Sequence, residues 1–379
     1  MSLHAFAAHL AEPAVPPAES WRAELVRLGR SEGKPLRTLC ANHGLQVIDP
    51  IDRQLADLAL IRVPSPGRDA ERAQFVARMI DHAGDVDACG WWAYFPWARH
   101  VVHLLAPDDF FEVITNRNRD KVTVGEQRLL RTKTIGVVGL SVGAEAAITI
   151  AQEHLCGRML LADFDRLDLS NLNRLSAGVD ELGVAKTTIA ARRIARIDPY
   201  LDVEIFPSGV TSENADEFLD ELDLLVEECD GLRMKFVLRE LARARGLDVI
   251  YAADERGFFS VEPYEDHATL PLFHGLVRAP HPPREAFATS LDFFRALTDW
   301  IGGWDAISAR SRRSLEQVGT ALCGYPQLAG EARLAAGQLA HVARRLLLGE
   351  RLAPFVGRVD LEELLPVAAP GLESRGQSR

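Results

Sequence analysis

The run Thr134-Ile-Gly-Val-Val-Gly-Leu-Ser-Val-Gly143, followed by Ala162-Asp-Phe-Asp-Arg-Leu-Asp-Leu-Ser-Asn-Leu-Asn-Arg174, decides the fold. A short apolar strand leads into a turn of small residues, then a helical stretch, then a second apolar strand that ends in an acid. Such a turn brings backbone N–H groups and the positive end of a helix dipole to one point, which suits a phosphate. Counted from Gly139, the G-x-G-x-x-G pattern would place glycines where Ser141 and Ala144 stand, with Gly143 between them. The glycine spacing is imperfect, but these residues are small enough for a close backbone approach. Asp163 ends the second strand, where a carboxylate can accept hydrogen bonds from both ribose hydroxyls of a nucleotide.

Working outward, residues 116–254 alternate apolar strands with amphipathic helices, predicting strands at 134–138, 158–162, 203–206, 222–226 and 248–252 and a helix at 144–155. That alternation predicts an α/β fold, a Rossmann-like, mostly parallel sheet with helices on both faces. A small α+β region precedes it, with helices expected at 21–28 and 69–82 and a strand at 101–105. Its aromatic knot, Trp91-Trp-Ala-Tyr-Phe-Pro-Trp97, is most simply a small core. A C-terminal extension follows, with a strand at 258–261, a proline-bearing loop at 271–283, a long helix at 331–348 and a frayed tail at 371–379. The expected domains are residues 1–115, 116–260 and 261–379.

Composition narrows the function. The 379 residues carry a net charge of −11 without a basic run, which argues against nucleic acid as a partner. No stretch reaches the roughly 20 apolar residues of a membrane span, and no basic leader opens the chain, so a cytoplasmic protein is expected. The five cysteines are scattered and suggest neither disulfides nor a paired-cysteine zinc site. Cys229 follows an apolar strand and is expected to be buried, whereas Cys323 stands in a glycine and proline turn with nothing nearby to lower its pKa.

The polar run Ser170-Asn-Leu-Asn-Arg174 exceeds what dinucleotide holding requires. Its arginine fork binds phosphates bidentately. Lys186 opens an amphipathic helix, where the dipole slightly disfavours a cation unless its ammonium reaches a triphosphate. Asp230 follows an apolar strand onto the same sheet edge as Asp163 and can hold Mg²⁺, with Glu227 and Glu228 as competitors for that role.

Gly139, Asp163-Phe-Asp165, Ser170-Asn171-Leu-Asn-Arg174, Gly183-x-x-Lys186 and Asp230 together resemble the adenylation domain of the ThiF, MoeB and HesA family, the E1-like bacterial relatives of ubiquitin-activating enzymes. The resemblance spans about residues 116–259. It implies an ATP-dependent adenylyltransferase that turns a carboxylate into an acyl adenylate and releases pyrophosphate. By the same resemblance the Gly139-to-Ala144 turn, with Ser141 and Gly143, cradles phosphate. Asp163 and Asp165 belong to the nucleotide site, Asn171, Arg174 and Lys186 neutralise the triphosphate, and Asp230 carries Mg²⁺. Arg119, with Arg117 in reserve, resembles an arginine that reaches the nucleotide of a partner subunit, implying a homodimer. The implied substrates are a ubiquitin-like or peptide C-terminus or a small acid, received by residues 254–263 and 271–275.

Two other classes compete. An NAD(P)-dependent oxidoreductase would use Asp163 and the turn but leave Arg119, Arg174 and Lys186 unexplained. A non-catalytic E1-like scaffold is suggested by Ser141 and Ala144 in place of glycines. The absence of C-x-x-C pairs after the core departs from the zinc-bearing relatives.

Overall fold

The computed structural model describes residues 1–12 and 19–365, so the tail expected at 371–379 lies outside the described residues. Two sheets organise the chain. The first is formed by β1 (Glu24–Val26), β2 (Gln46–Ile48), β3 (Trp91–Phe95) and β4 (His100–Leu104), in the order β1-β3-β4-β2. Only β2 and β4 run parallel. The aromatic knot is β3, and alternation sends Trp92 and Tyr94 into one core and Ala93 and Phe95 into another. That second core includes Ala195, so the first sheet rests on a helix of the larger one.

Residues 21–28, expected as a helix, contain β1 instead. Val26 is fully buried opposite Trp92, and pairing with β3 outweighs the local helical pattern.

The second sheet contains β5 (Thr134–Val138), β6 (Arg158–Ala162), β7 (Asp202–Phe206), β8 (Leu224–Glu227), β9 (Val249–Ala252), β10 (Phe258–Glu262) and β11 (Phe355–Arg358). Its order is β11-β10-β9-β8-β5-β6-β7. The strands from β9 to β7 are parallel, whereas β10 and β11 add an antiparallel edge. Helices cover both faces. Val142–Glu153, Lys186–Ile197 and Ala329–Leu347 pack on one face, and Leu232–Arg245 packs on the other. Alanines 146, 147 and 151 of the first helix share a core with alanines 332, 335, 336, 340 and 343 of the long C-terminal helix. Small facing side chains let two helices pack closely.

A boundary at residue 260 falls inside β10, and β11 joins the same sheet from the far end of the chain. The extension therefore shares the core of the nucleotide-binding region. The loop at 271–283 contains a tight turn, Leu272–Gly275, where Phe273 and His274 both adopt positive φ. Among the described residues, no helix is long and apolar enough to cross a membrane.

Chain order runs from β5 outward to β6 and β7, then returns to β8 on the other side of β5. The crevice at the carboxyl ends of β5 and β8 is thus the topological switch point, where open α/β sheets bind ligands.

Candidate functional site

The glycine turn stands at that crevice. Gly139 has φ +86°, and a Cβ there would lie 2.4 Å from the Glu228 carbonyl oxygen, so both conformation and space demand glycine. Gly143, in the first turn of the helix, would place a Cβ 3.1 Å from Val137 Cγ1. Ala144 is buried, and its N–H donates to the Ser141 carbonyl at 3.3 Å. The Ser141 hydroxyl accepts from Arg174 Nε at 3.1 Å, so the residue in a glycine position ties the turn to the polar run.

Asp163 is 8% exposed, and both of its oxygens accept backbone N–H groups, from Leu140 at 2.5 Å and from Asp165 at 2.7 Å. The sequence expectation gave this carboxylate to ribose alone, but it also braces the turn, keeping one further lone pair per oxygen for a ligand. Burial pushes its pKa up, and the Lys186 charge opposes that. Lys186 is 8% exposed, and its ammonium lies 2.7 Å from Asp165 Oδ2. Asn171 Oδ1 accepts from the Asp168 N–H at 3.0 Å, which shapes the loop rather than reaching into the crevice. Asn173 donates to the Gln327 carbonyl at 2.8 Å and so fastens the loop to the C-terminal extension.

Arg174 is half-buried, and its Nη1 donates to Asn173 Oδ1 at 2.9 Å. Burial pulls its pKa down, while Asp254 and Asp230 support the charge. Asp230 is exposed at the cleft. The surrounding walls desolvate its carboxyl and raise its pKa against the pull of Lys235 and Lys186.

Its two competitors are engaged elsewhere. Glu227 is fully buried, bonded to Arg239 and 3.2 Å from Lys235. Burial pushes its pKa upward, but those two cations hold it at about 2. Glu228 accepts from the Ala252 N–H at 2.7 Å and is driven upward by burial. Among the three candidates, Asp230 offers the open oxygens that a hard cation takes along with water and phosphate. Among the described residues, the one cluster of three ligating groups is Asp49, Asp87 and His103 in the first sheet, where Arg37 pairs with both carboxylates.

A family model for the ThiF family matches residues 115–306, which is just over half of the chain. The chain belongs to the ThiF family. This ThiF-family chain is 43% identical over 286 residues to an uncharacterized protein of Mycobacterium tuberculosis, covering 75% of the present sequence but 40% of that relative's length. It is 29% identical over 210 residues to the sulfur carrier protein adenylyltransferase of Thermus thermophilus, covering 53% and 75% of the two chains. Among solved structures, the Escherichia coli tRNA N6-threonylcarbamoyladenosine dehydratase in complex with AMP superposes with a TM-score of 0.48 at 17% identity, covering 65% and 98%.

Not every expected residue of this ThiF-family site comes together. Arg119 is exposed and lines a separate cleft with Gln127, Arg128 and Arg131, just before β5 begins. The neighbouring Asn118 bonds to the Glu153 carbonyl, at the end of the helix opposite the glycine turn. Arg119 is therefore a helix length away from the crevice of its own chain, roughly 18 Å for twelve residues. Cys229 is half-buried rather than fully buried, its N–H donates to Glu227 at 2.9 Å, and burial pushes its thiol upward. Cys323 is exposed in a cleft shared with Arg174.

Sequence reasoning placed Asp254 only at the start of a substrate-receiving segment and missed Lys235 and the aromatic wall of Tyr251, Phe293, Phe294 and Trp300; all of them line a cavity of about 240 Å³ beside Ser141 and Asp230. The position of Asp254 was visible in principle, because it lies two residues past the end of β9, near the sheet edge where Asp163 follows β6. The aromatics carried no comparable signal, since they come from the irregular extension.

Proposed function

We propose that this chain is an ATP-dependent adenylyltransferase that activates a carboxylate as an acyl adenylate. One observation carries the reading: the tight glycine turn, Asp163, Lys186, Arg174 and Asp230 converge on the switch point of a parallel sheet. Two cations and an open carboxylate there suit a nucleotide whose phosphates change charge. A nicotinamide cofactor would leave Arg174 and Lys186 without a task.

In the proposed reaction, a carboxylate oxygen attacks the α-phosphorus of ATP in line and the bond to pyrophosphate breaks. The chain's part is positioning and charge stabilisation. Backbone N–H groups of Ser141, Val142 and Gly143, at the start of the helix, face the phosphates, with Gly143 keeping the helix start close to β5. Asp163 accepts from ribose, Asn171 holds the shape of its loop, and Arg174 and Lys186 neutralise the polyphosphate. Before nucleotide binds, Asp165 holds Lys186, and phosphate oxygens would exchange with that carboxylate. Mg²⁺ bound by Asp230 and the phosphates would supply further neutralisation of the leaving group.

Arg119 would act in the site of a second copy, which makes a homodimer the proposed working unit. The proposed substrate is a small acid or the C-terminus of a peptide or ubiquitin-like protein. The first sheet is proposed as an accessory unit, and the chain as cytoplasmic. The test is ATP–pyrophosphate exchange against a panel of small acids, free peptides and ubiquitin-like C-termini, alongside nucleotide binding. Nicotinamide binding without ATP binding would overturn the proposal.

A further inference from the structure

The cavity beside Asp230 holds two features that the adenylation chemistry does not use. Its walls are aromatic, with Tyr251, Phe293, Phe294 and Trp300 enclosing about 240 Å³ against the ends of β8 and β9. In the same lining, Asp254 is 7% exposed; the Gln327 side chain supports its carboxyl, but its Oδ2 is buried with no hydrogen-bond partner. A buried acceptor without a donor is costly, so it persists where a ligand completes it. Lys235 does not complete it, because that ammonium lies 3.2 Å from both Glu227 oxygens and 4.1 Å from the Tyr251 ring centre.

Size and position narrow the occupant. The volume is below the roughly 300 Å³ at which pockets for drug-sized ligands begin, and suits one residue-sized group. Ser141 and Asp230 also line it, so the cavity adjoins the proposed phosphate site on the side away from Asp163. A tail ending in glycine has no side chain and would leave four aromatic walls and the Asp254 oxygen facing water.

We propose that this cavity is the acyl-specificity pocket, and that it selects a carboxylate whose side chain has an apolar or aromatic stem ending in a hydrogen-bond donor for Asp254. The inference rests on the adenylation reading and narrows its substrate class. Donor-ended terminal residues or free acids are preferred over glycine-ended tails.

The test uses the full chain and five dipeptides of alanine followed by glycine, phenylalanine, tyrosine, methionine or glutamine. The pairs tyrosine/phenylalanine and glutamine/methionine differ chiefly in the donor. Pyrophosphate exchange is expected to be at least about tenfold faster for the donor-bearing member of one pair, and faster than with the glycine dipeptide. Asp254→Asn and Asp254→Leu are expected to bring that ratio towards one, with circular dichroism reporting the fold. Equal rates within both pairs, the glycine dipeptide as the best substrate, or an unchanged ratio in folded Asp254 variants would overturn the pocket. If no dipeptide supports exchange, the adenylation reading fails for this class, and calorimetric binding of the same five decides the pocket separately. Tighter binding of a donor-ended member supports it, and uniform binding overturns it.

Discussion

At the residue scale, Arg174 is tied to the turn through Ser141 and senses Asp230 and Asp254 across the cleft. Arg174→Ala or Asp230→Ala should reduce pyrophosphate exchange by ~10² to 10³, the usual effect of removing one preorganised electrostatic contact. Thermal melts close to wild type would show that the fold survives, and exchange at the wild-type rate in either variant would remove the mechanism. Asp254 gives a prediction on pH. Burial raises its pKa from 3.8 to about 6, so the folded chain binds the proton more tightly than the unfolded one. Its contribution to stability is therefore lost as pH rises from about 4 to about 6, and Asp254→Asn should make that part of the curve shallower. Urea midpoints across this window test it, and parallel curves for the two proteins would refute it.

At the scale of elements, the helix Leu232–Arg245 looks like an ordinary surface helix with basic residues at 233, 235, 239, 243 and 245. Two of those bases are interior. Arg239 is fully buried, bonded to Glu227 and 2.6 Å from Glu262, whose other oxygen accepts from Tyr264 and from the Phe273 N–H. Removing Arg239 leaves two carboxylates buried with their main cation gone. Arg239→Ala should destabilise the chain by about 3–5 kcal/mol in urea unfolding. A loss under about 1 kcal/mol would mean that the cluster rearranges or admits water. No period in the sequence marks these charges as buried, because the acids that pair with them lie on β8 and β10. The misread segment at 21–28 has the same cause: its partner, β3, is 66 to 70 residues away in register.

At the scale of the whole molecule, the crevice of one chain lacks Arg119, which stands at the opposite end of the helix that begins at the glycine turn. If a second copy supplies it, Arg119→Ala and Arg174→Ala should each be inactive alone. Their mixture after subunit exchange should regain activity, because one site of each mixed dimer then has both arginines. A mixture as inactive as its components would show that Arg119 serves no neighbouring site.

Local sequence was enough to mark the parallel core and the glycine turn. Strand alternation, the glycine that no other residue replaces, and the spacing from Asp163 to Arg174 are local properties, written in consecutive residues. Tertiary structure alone decided which acid stays open to a cation, since Glu227, Glu228 and Asp230 are adjacent and differ only in what folds against them. It likewise decided that the extension closes the cleft. β11 pairs with β10 across 94 to 100 residues and the long C-terminal helix joins the core across more than a hundred, and no local pattern encodes a contact at that separation.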